Sequence, residues 1–322
     1  MHNVIVAAFL ILTTVCSCGC FKSKSTEPPV APPPDTEEEY DGDPDIGDLS
    51  QPGTFYDKFE GALDTDKWDN LTQLWGQPAI AQYQHGGVIK ENVYTRGGYA
   101  VMRALGDLYT GPLRGAGGQS TRMGGVISSR QRFASGRYEA KIMVLQAPDM
   151  GVTSASWTFW YKEITQSAYP QAWEKAIAAG NIPVNNTIAL NHEIDIEVKG
   201  VKLSNPIYTN WIGEKDAEHN TTAVVYPNGL ADNKFHIFRW DWHTGGNGQE
   251  PRVEYYIDDM LVHTSKMQVP YISSKWFLGN WFAWWAGNDT GTYKAPAFES
   301  KEMFVDWVKF TPFNEPNDDT ME

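Results

Sequence analysis

The sequence predicts an all-β protein, built as a sandwich or jelly roll of antiparallel sheets. From Thr54 onward the 322-residue chain consists of short runs rich in Val, Ile, Tyr, Phe and Trp, separated by Gly, Asn, Asp and Pro. Such runs with regular turn signals are typical of β-sandwiches and jelly rolls. A helical pattern is confined to roughly Gln171 to Ala179, before Gly180. One domain of this class accounts for residues 51 to 313.

Seven runs in this region are predicted to be strands because they combine β-branched and aromatic residues between turn signals. In chain order they are Gly125 to Ser129, Tyr138 to Val144, Ser156 to Tyr161, Glu193 to Val198, Ile237 to Trp242, Val253 to Ile257 and Met303 to Phe310.

The fourth of these strands carries acids at every second position. Glu193, Asp195 and Glu197 alternate with Ile194 and Ile196, so in an extended strand the acids share one face and the isoleucines the other. Like charges side by side repel and raise one another's pKa. A fold has little reason to align three carboxylates unless chemistry or a cation uses them.

The spacing of the outer acids favours a retaining glycosidase. Positions i and i+4 of a strand lie roughly 13 Å apart at Cα, and leaning glutamate side chains bring the carboxyls to about 5 to 6 Å. Retaining enzymes need about 5 to 5.5 Å, and inverting enzymes about 6.5 to 9.5 Å. Either Glu193 or Glu197 fits the nucleophile on these grounds. Asp195, between them, is placed to hydrogen-bond the nucleophile and to hold the other glutamate's proton by its negative charge.

Two other interpretations fit the pentapeptide alone. An alternation of acidic and apolar residues is also typical of the solvated outer face of an antiparallel sheet. The same carboxylates also suit calcium or magnesium, although such sites usually draw their ligands from loops.

Composition and charge narrow the function. The chain holds 13 Trp, 15 Tyr and 14 Phe, enough to supply a core and to stack on sugar rings. Most of its net charge of −14 lies outside the domain: residues 26 to 50 contain nine acids and no Lys or Arg. The nearly neutral domain lacks the basic stripe that nucleic acid requires, and argues against a highly sulfated polysaccharide.

The amino terminus is predicted to be a lipoprotein-type signal over residues 1–18. Val4 to Val15 is an apolar run too short for a mature membrane span, and all three cysteines, Cys16, Cys18 and Cys20, follow it. Cys18, or alternatively Cys20, is the predicted lipidation site. An ordinary secretory signal is the alternative.

Flexible segments are predicted on both sides of the domain. Residues 19–50 are rich in Pro, Glu and Asp, a composition that buries no core, and form a tether of at most about 100 Å. Residues 314–322 are predicted to be a disordered acidic tail.

Several segments together resemble glycoside hydrolase family 16. The run from Glu193 to Glu197 matches that family's Glu-x-Asp-x-Glu signature. The other landmarks occur in the family's order: Phe59-Glu60-Gly61 and Trp68; Gly136 to Lys141, then Gly151 and Trp157; Phe235-His236 and Phe238 to Trp242; Tyr256-Ile257-Asp258; and Val305-Asp306-Trp307-Val308. The resemblance spans nearly all of residues 54 to 311, and it disfavours the solvated-strand interpretation.

The resemblance implies a concanavalin-like β-jelly roll whose concave sheet forms an open cleft. It implies that Glu193 is the nucleophile, Asp195 the supporting acid and Glu197 the general acid and base. Six residues would contact the sugars at matching positions: Glu139, Lys141, Trp157, Asn210, Trp211 and Trp285.

The chain departs from the family near its signature. Relatives that resemble bacterial lichenases carry Trp two residues before the nucleophile, where this chain has Asn191. A stacking ring near the cleavage site is therefore absent or supplied from elsewhere. An insertion between Trp160 and His192 is expected to shape one end of the cleft, and His192 to hydrogen-bond behind or beside the acids.

These observations predict a retaining endo-β-glycosidase acting on a neutral β-glucan with 1,3 or mixed 1,3 and 1,4 linkages. The alternatives are an endo-β-galactanase acting on agar-like, carrageenan-like or host glycans, and a non-catalytic carbohydrate-binding protein on the same fold. The chemistry requires no cofactor and the residues predict no metal site, although a structural calcium is not readable from sequence. The partners expected are the polysaccharide and a membrane reached only through the lipid anchor. We expect a monomer at the bacterial cell surface or outer membrane, or a secreted or periplasmic protein without lipidation.

Overall fold

The computed structural model describes residues 49–75, 83–289 and 291–321. The predicted signal segment, with Cys18 and Cys20, and nearly all of the predicted tether lie outside these residues. Among the described residues, no helix has the length and apolar character needed to span a membrane.

Within the described residues the chain forms mainly strands, with one α-helix between the seventh and eighth strands. The strands are β1 (Phe55–Asp57), β2 (Trp68–Asn70), β3 (Val93–Arg96), β4 (Tyr99–Leu105), β5 (Gly125–Phe133), β6 (Gly136–Met143), β7 (Thr153–Ile164), β8 (Ile188–Lys199), β9 (Ile207–Trp211), β10 (His219–Ala223), β11 (His236–His243), β12 (Arg252–Ile257), β13 (Met260–Ser265), β14 (Ser274–Trp281), β15 (Asn288–Asp289), β16 (Thr292–Tyr293) and β17 (Ser300–Pro312), and the helix is α1 (Pro170–Ala179).

The strands build two antiparallel sheets packed face to face. Sheet I has the order β13-β12-β11-β6-β17-β4-β3, with β1 also paired to β17. Sheet II has the order β10-β9-β8-β7-β14-β5-β2. Sequential strands are often separated by strands from elsewhere in the chain, as a jelly roll requires. The predicted all-β sandwich or jelly roll is confirmed, and all seven predicted strands are present.

The core lies between the inward faces of the two sheets. Tyr138 of β6 stacks on Trp240 of β11 within sheet I, with ring centroids 4.9 Å apart. Trp276 of β14 in sheet II meets the Tyr138 ring edge to face at 5.4 Å. All three side chains are fully buried. Large aromatic residues therefore join the sheets, and about half of each strand's side chains are left to face outward.

The helix begins and ends where its sequence predicts. Pro170 occupies the first turn, where a missing N–H costs nothing, and Gly180 follows the last turn in the left-handed conformation at φ 103°. The Gly180 N–H donates to the carbonyls of Ala176 and Ile177. Ala176 packs against the start of β8, in a small cluster with Ile188 and Leu190.

The residues after β17 fold against the domain, so the prediction of a disordered tail is wrong for 314–321. Asp318 accepts hydrogen bonds from the hydroxyls of Ser135 and Thr244, at 2.8 and 2.7 Å. Glu315 accepts one from the Gly245 N–H at 2.6 Å. The acidic side chains that suggested a solvated tail instead accept hydrogen bonds from hydroxyls and a backbone N–H group of the domain.

Candidate active site

Strand β8 lies near the middle of sheet II and presents its acids on the face that points away from sheet I. Ile194, Ile196 and Val198 are buried in the core between the sheets. Because side chains alternate along a strand, Glu193, Asp195 and Glu197 lie on the opposite face, called here the cleft face. The predicted alignment of the three acids on one face is thus what the strand forms.

Neighbouring side chains hold two of these carboxyls in place. The Asn191 amide donates to Glu193 Oε2 at 3.2 Å, from two residues earlier on the same strand. The Trp211 indole donates to Asp195 Oδ2 at 3.0 Å, from the adjacent strand β9. Asn191 therefore orients the predicted nucleophile.

Burial and mutual repulsion raise the pKa of all three acids. Burial raises the pKa of Glu193 to about 7, while hydrogen bonds from Asn191 and Asp195 oppose the shift. Burial, with the charge of Glu193, raises the pKa of Glu197 to about 8, and Lys199 opposes it. Burial and both flanking glutamates raise the pKa of Asp195 well above its usual range.

These shifts divide the acids into different roles. Burial and the charges of both glutamates favour the protonated form of Asp195, and a hydrogen bond from Asp195 lowers the pKa of Glu193. The charge that raises the pKa of Glu197 is that of Glu193, and the expected effect of an Asp195 charge on Glu197 stays a prediction. Glu193 ionises before Glu197, which leaves one carboxylate and one carboxylic acid.

Aromatic rings flank the acids on the two neighbouring strands. Trp157 of β7 is the register partner of Asp195 and stacks on Phe277 of β14, with centroids 5.1 Å apart and planes at 19°. On the other side, Trp211 stacks on His219 of β10 at 4.1 Å and 23°. Rings therefore lie on both sides of the carboxyls, and they supply the stacking surface that Asn191 does not.

A second group of aromatic side chains lies where β14 ends. Trp281 meets Trp285, Trp75 and His85 with ring centroids 6.2, 5.8 and 6.1 Å away. Trp281 is two residues beyond Gly279 and four beyond Phe277 on β14, so it belongs to the cleft face. The predicted cleft residue Trp285 thus joins the cleft through Trp281, which the sequence did not single out.

The structure does not bring Glu139 and Lys141 to the cleft, and their assignment as sugar contacts is wrong. Both lie on β6 in sheet I, on the face opposite the buried Tyr138 and Ala140. Glu139 pairs with Lys309 at 3.4 Å. Lys141 pairs with Asp306 at 3.0 Å. The motif that contains them marks a strand of the other sheet.

Asn210 also lies away from the cleft. It is 1% exposed, and as the register partner of Ile194 it points into the core. Its amide donates to the Met267 carbonyl at 3.1 Å, and its side-chain oxygen accepts from the Tyr255 hydroxyl of sheet I. Asn210 ties the sheets together, whereas its neighbour Trp211 points to the acids, because adjacent strand residues face opposite ways.

His192 supports the acids from behind. It is fully buried on the core side of β8, and its Nδ1 accepts a hydrogen bond from the Tyr271 N–H at 3.2 Å. Burial, with the charge of Lys175, lowers its pKa to about 3. A neutral imidazole on the opposite face from Glu193 serves as a structural hydrogen-bond acceptor, as the sequence interpretation had it.

The insertion between Trp160 and His192 braces one end of sheet II. After α1, the Asn181 amide donates to the Ile212 carbonyl at 2.7 Å, and the Ile182 N–H donates to Glu218 at 2.6 Å. These bonds join the insertion to the chain between β9 and β10. No group of three or more His, Cys, Asp or Glu within the described residues is arranged to hold a metal ion.

Two antiparallel sheets packed face to face, with paired carboxyls on an aromatic-lined outer face, place this chain among the jelly-roll sandwich proteins. No protein-family model matches the chain. A β-glucanase of Paenibacillus polymyxa is 23% identical over 192 residues, 58% of this chain and 63% of that protein. The chain thus spans less than two thirds of the length of this relative.

Solved structures share the fold over nearly their whole length. A β-1,3-1,4-glucanase (lichenase) from a mouse hindgut metagenome has a TM-score of 0.55 at 16% identity, covering 81% of this chain and 99% of its own. The laminarinase catalytic domain of Thermotoga petrophila has a TM-score of 0.54 at 15% identity, covering 81% and 97%. These comparisons confirm the resemblance to glycoside hydrolase family 16 and its jelly-roll fold.

Proposed function

We propose that the protein is a retaining endo-β-glycosidase that hydrolyses β-glucan with 1,3 or mixed 1,3 and 1,4 linkages. The observation that carries this proposal is the row of Glu193, Asp195 and Glu197 on the face of β8 that points away from the core, with Trp157 and Trp211 on the neighbouring strands. Similarity to a β-glucanase, a lichenase and a laminarinase supports β-glucan as the polymer.

The roles follow from the environment of each acid. Glu193, oriented by Asn191, attacks the anomeric carbon as the leaving oxygen departs and forms a covalent glycosyl-enzyme. Glu197, whose pKa is raised to about 8 by burial and the charge of Glu193, donates its proton to that oxygen. It then takes a proton from the water that hydrolyses the intermediate, so two displacements retain the configuration.

Asp195 acts on Glu193 throughout this cycle. It is anchored by the Trp211 indole at 3.0 Å and donates a hydrogen bond to Glu193. A hydrogen bond to a carboxylate stabilises its charged form, which keeps Glu193 ionised despite burial. Asp195 therefore matters most when Glu193 carries charge, before attack and after release.

Aromatic rings on both sides of the acids support cleavage within a chain rather than at its end. Trp157 and Phe277 lie on one side of the acids, and Trp211 and His219 lie on the other. Sugar rings that stack on both pairs would place an internal linkage over Glu193 and Glu197.

A polysaccharide panel tests this function. Purified protein should release reducing ends from laminarin or mixed-linkage β-glucan, and much less from agarose or carrageenan. Oligosaccharides of several lengths should appear early. Preferential release from the galactans would replace the β-glucan proposal, and no release from any polymer that the protein binds would favour a binding protein.

The Glu193→Ala variant tests the assigned nucleophile. It should lose hydrolysis, and added azide should restore turnover of an activated aryl glycoside with inverted configuration, because azide attacks where the carboxylate did. Glu250→Ala is a matched control, since this glutamate lies before β12 of sheet I and forms an exposed ion pair with Lys266. Wild-type activity in Glu193→Ala would contradict the assignment.

A further inference from the structure

Two cations lie directly opposite each other on the cleft face of sheet II. Arg132 of β5 and Lys275 of β14 are register partners. Their chain neighbours Phe133 and Trp276 are buried in the core, so Arg132 and Lys275 point to the other face, where both are half-buried. We call these two residues the basic pair.

The basic pair is poorly neutralised. Lys275 Nζ lies 3.0 Å from Asp69 Oδ2, but the other Asp69 oxygen already pairs with Arg130 at 2.9 Å. Arg132 forms no ion pair with an acid among residues 49–75, 83–289 and 291–321. Like charges directly opposite across two strands are destabilising. Arg130 and Lys275 share one carboxylate and Arg132 adds a third positive charge, which leaves an excess of positive charge there.

Stability does not account for this arrangement. The Lys275–Asp69 pair is about one-third exposed at both partners, and the Arg130 side chain is 54% exposed. Ion pairs of this kind contribute at most about 1 kcal/mol. Arg132 pairs with no acid in the described part of the chain and lies against Lys275, which costs energy that a bound anion would recover.

The basic pair is in line with the acids. Lys275, Phe159 and Glu193 are register partners across β14, β7 and β8. With neighbouring strands about 4.8 Å apart, the Lys275 backbone lies roughly 10 Å from that of Glu193, and the Arg132 backbone roughly 14 Å. A sugar chain that crosses the strands from Glu193 over Phe159 therefore reaches the basic pair within a few sugar units.

We propose that the basic pair binds an anionic substituent, a carboxylate or a sulfate ester, on the polysaccharide that the cleft holds. The planar guanidinium of Arg132 suits a bidentate contact with either group, and the Lys275 ammonium adds a point charge. The nearly neutral domain attracts no polyanion as a whole, so recognition is confined to this place. This inference rests on the proposed function and narrows its substrate to a partly anionic β-glucan.

The test compares a neutral glucan with anionic derivatives of the same polymer. Laminarin, sparsely carboxymethylated laminarin and sparsely sulfated laminarin are the substrates, and the measured quantity is the ratio of kcat/KM on each derivative to that on laminarin. In Arg132→Ala and Lys275→Ala this ratio should fall about tenfold, because a charge-assisted contact is lost. Arg132→Lys should retain part of the wild-type preference for the anionic derivative. Added salt should lower the kcat/KM ratio of the wild type.

Lys266→Ala is the matched control, because Lys266 forms an exposed ion pair with Glu250 away from the cleft. Its ratio should equal that of the wild type. Which derivative gives the larger ratio distinguishes carboxylate from sulfate. Equal ratios in wild type, Arg132→Ala and Lys275→Ala would overturn the inference while cleavage of laminarin upheld the proposed function.

Binding separates the two proposals if laminarin is not cleaved. In affinity electrophoresis, gels containing either derivative should retard the wild type more than Arg132→Ala, with thermal melting used to verify folding. Stronger retardation of the wild type without any cleavage would support anion binding by the basic pair and contradict the proposed hydrolase activity. Equal migration of the wild type and Arg132→Ala would contradict anion binding as well.

Discussion

At the scale of single residues, the titration of Glu193 and Glu197 is the property on which the chemistry depends. Both carboxyls share one strand face, and burial raises both pKa values, to about 7 for Glu193 and about 8 for Glu197. The charge that forms first on Glu193 disfavours a second charge on Glu197. In the proposed mechanism, one residue type thus supplies both a nucleophile and an acid.

This difference predicts a bell-shaped pH profile. Activity should fall as pH drops below about 7, because Glu193 must be ionised, and should fall as pH rises above about 8, because Glu197 must be protonated. The measurement is kcat/KM for β-glucan against pH. Glu197→Gln is assayed with an activated aryl glycoside, whose leaving group needs no acid. The fall of kcat/KM at alkaline pH should then disappear. An unchanged alkaline limb would assign it to another group.

The anchor of Asp195 gives a second prediction at this scale. Trp211→Phe keeps a ring against His219 but removes the indole N–H that Asp195 accepts. Loss of one such bond costs about 1 kcal/mol, which corresponds to about a fivefold fall in kcat. His219→Ala is the matched variant: it removes the stack, keeps the indole donor, and should affect KM more than kcat. The reverse pattern would contradict this division.

At the scale of elements, alternation along each strand separates core from cleft. In β14, Trp276 and Leu278 face the core, while Lys275, Phe277 and Trp281 face the cleft. β14 was not predicted, because Gly279 and Asn280 interrupt its apolar pattern. The strand nevertheless forms, since β5 and β7 pair with it on both sides. Tertiary pairing here outweighs local propensity.

Trp276 is the element-scale test of this packing. Trp276→Ala removes a fully buried ring that packs against Tyr138, along with an indole that donates to Ser156 at 3.0 Å. The free energy of unfolding should fall by about 3 to 5 kcal/mol. Trp284→Ala, at 38% exposure, should cost far less. Denaturant unfolding measures both, and similar losses would contradict the assigned core.

The segment after β17 acts as an element without regular structure. Asp318→Ala removes the acceptor of the Ser135 and Thr244 hydroxyls and should lower the free energy of unfolding by about 1 to 3 kcal/mol. Asp66→Ala, an exposed acid of the same type, should change it little. Equal unfolding midpoints in urea for the wild type and Asp318→Ala would support the flexible tail that the composition of residues 314–321 predicted.

At the scale of the whole molecule, the chain combines an acidic, Pro-rich segment over residues 26–50 with a nearly neutral folded domain. We propose that Cys18, or Cys20 in its place, carries a lipid that holds the domain at a bacterial membrane surface. Labelled fatty acid should be incorporated by the expressed chain and lost in Cys18→Ala. Incorporation that is lost only in Cys20→Ala would move the site, and none in the wild type would indicate a secreted or periplasmic protein.

Residue patterns determined the local features of this protein. The alternation in Glu193 to Glu197 predicted the acid face, because strand geometry depends only on backbone sterics. The Ala-rich run from Gln171 to Ala179, followed by Gly180, predicted the helix. Trp157 and Trp211 lie beside the acids and Trp285 lies against Trp281, so their role as sugar contacts stays a prediction.

Tertiary structure alone decided which strand joins which sheet, and that decided the rest of the site. Glu139 and Lys141 alternate as cleft residues would, yet β6 pairs with β11 and β17 in sheet I. Phe277, His219 and the basic pair reach the cleft only because β14, β5 and β10 lie beside the catalytic strands in space. Alternation along a strand determines which residues share a face. Pairing between distant segments determines which faces pack together, and burial of Trp276 and Tyr138 drives that pairing.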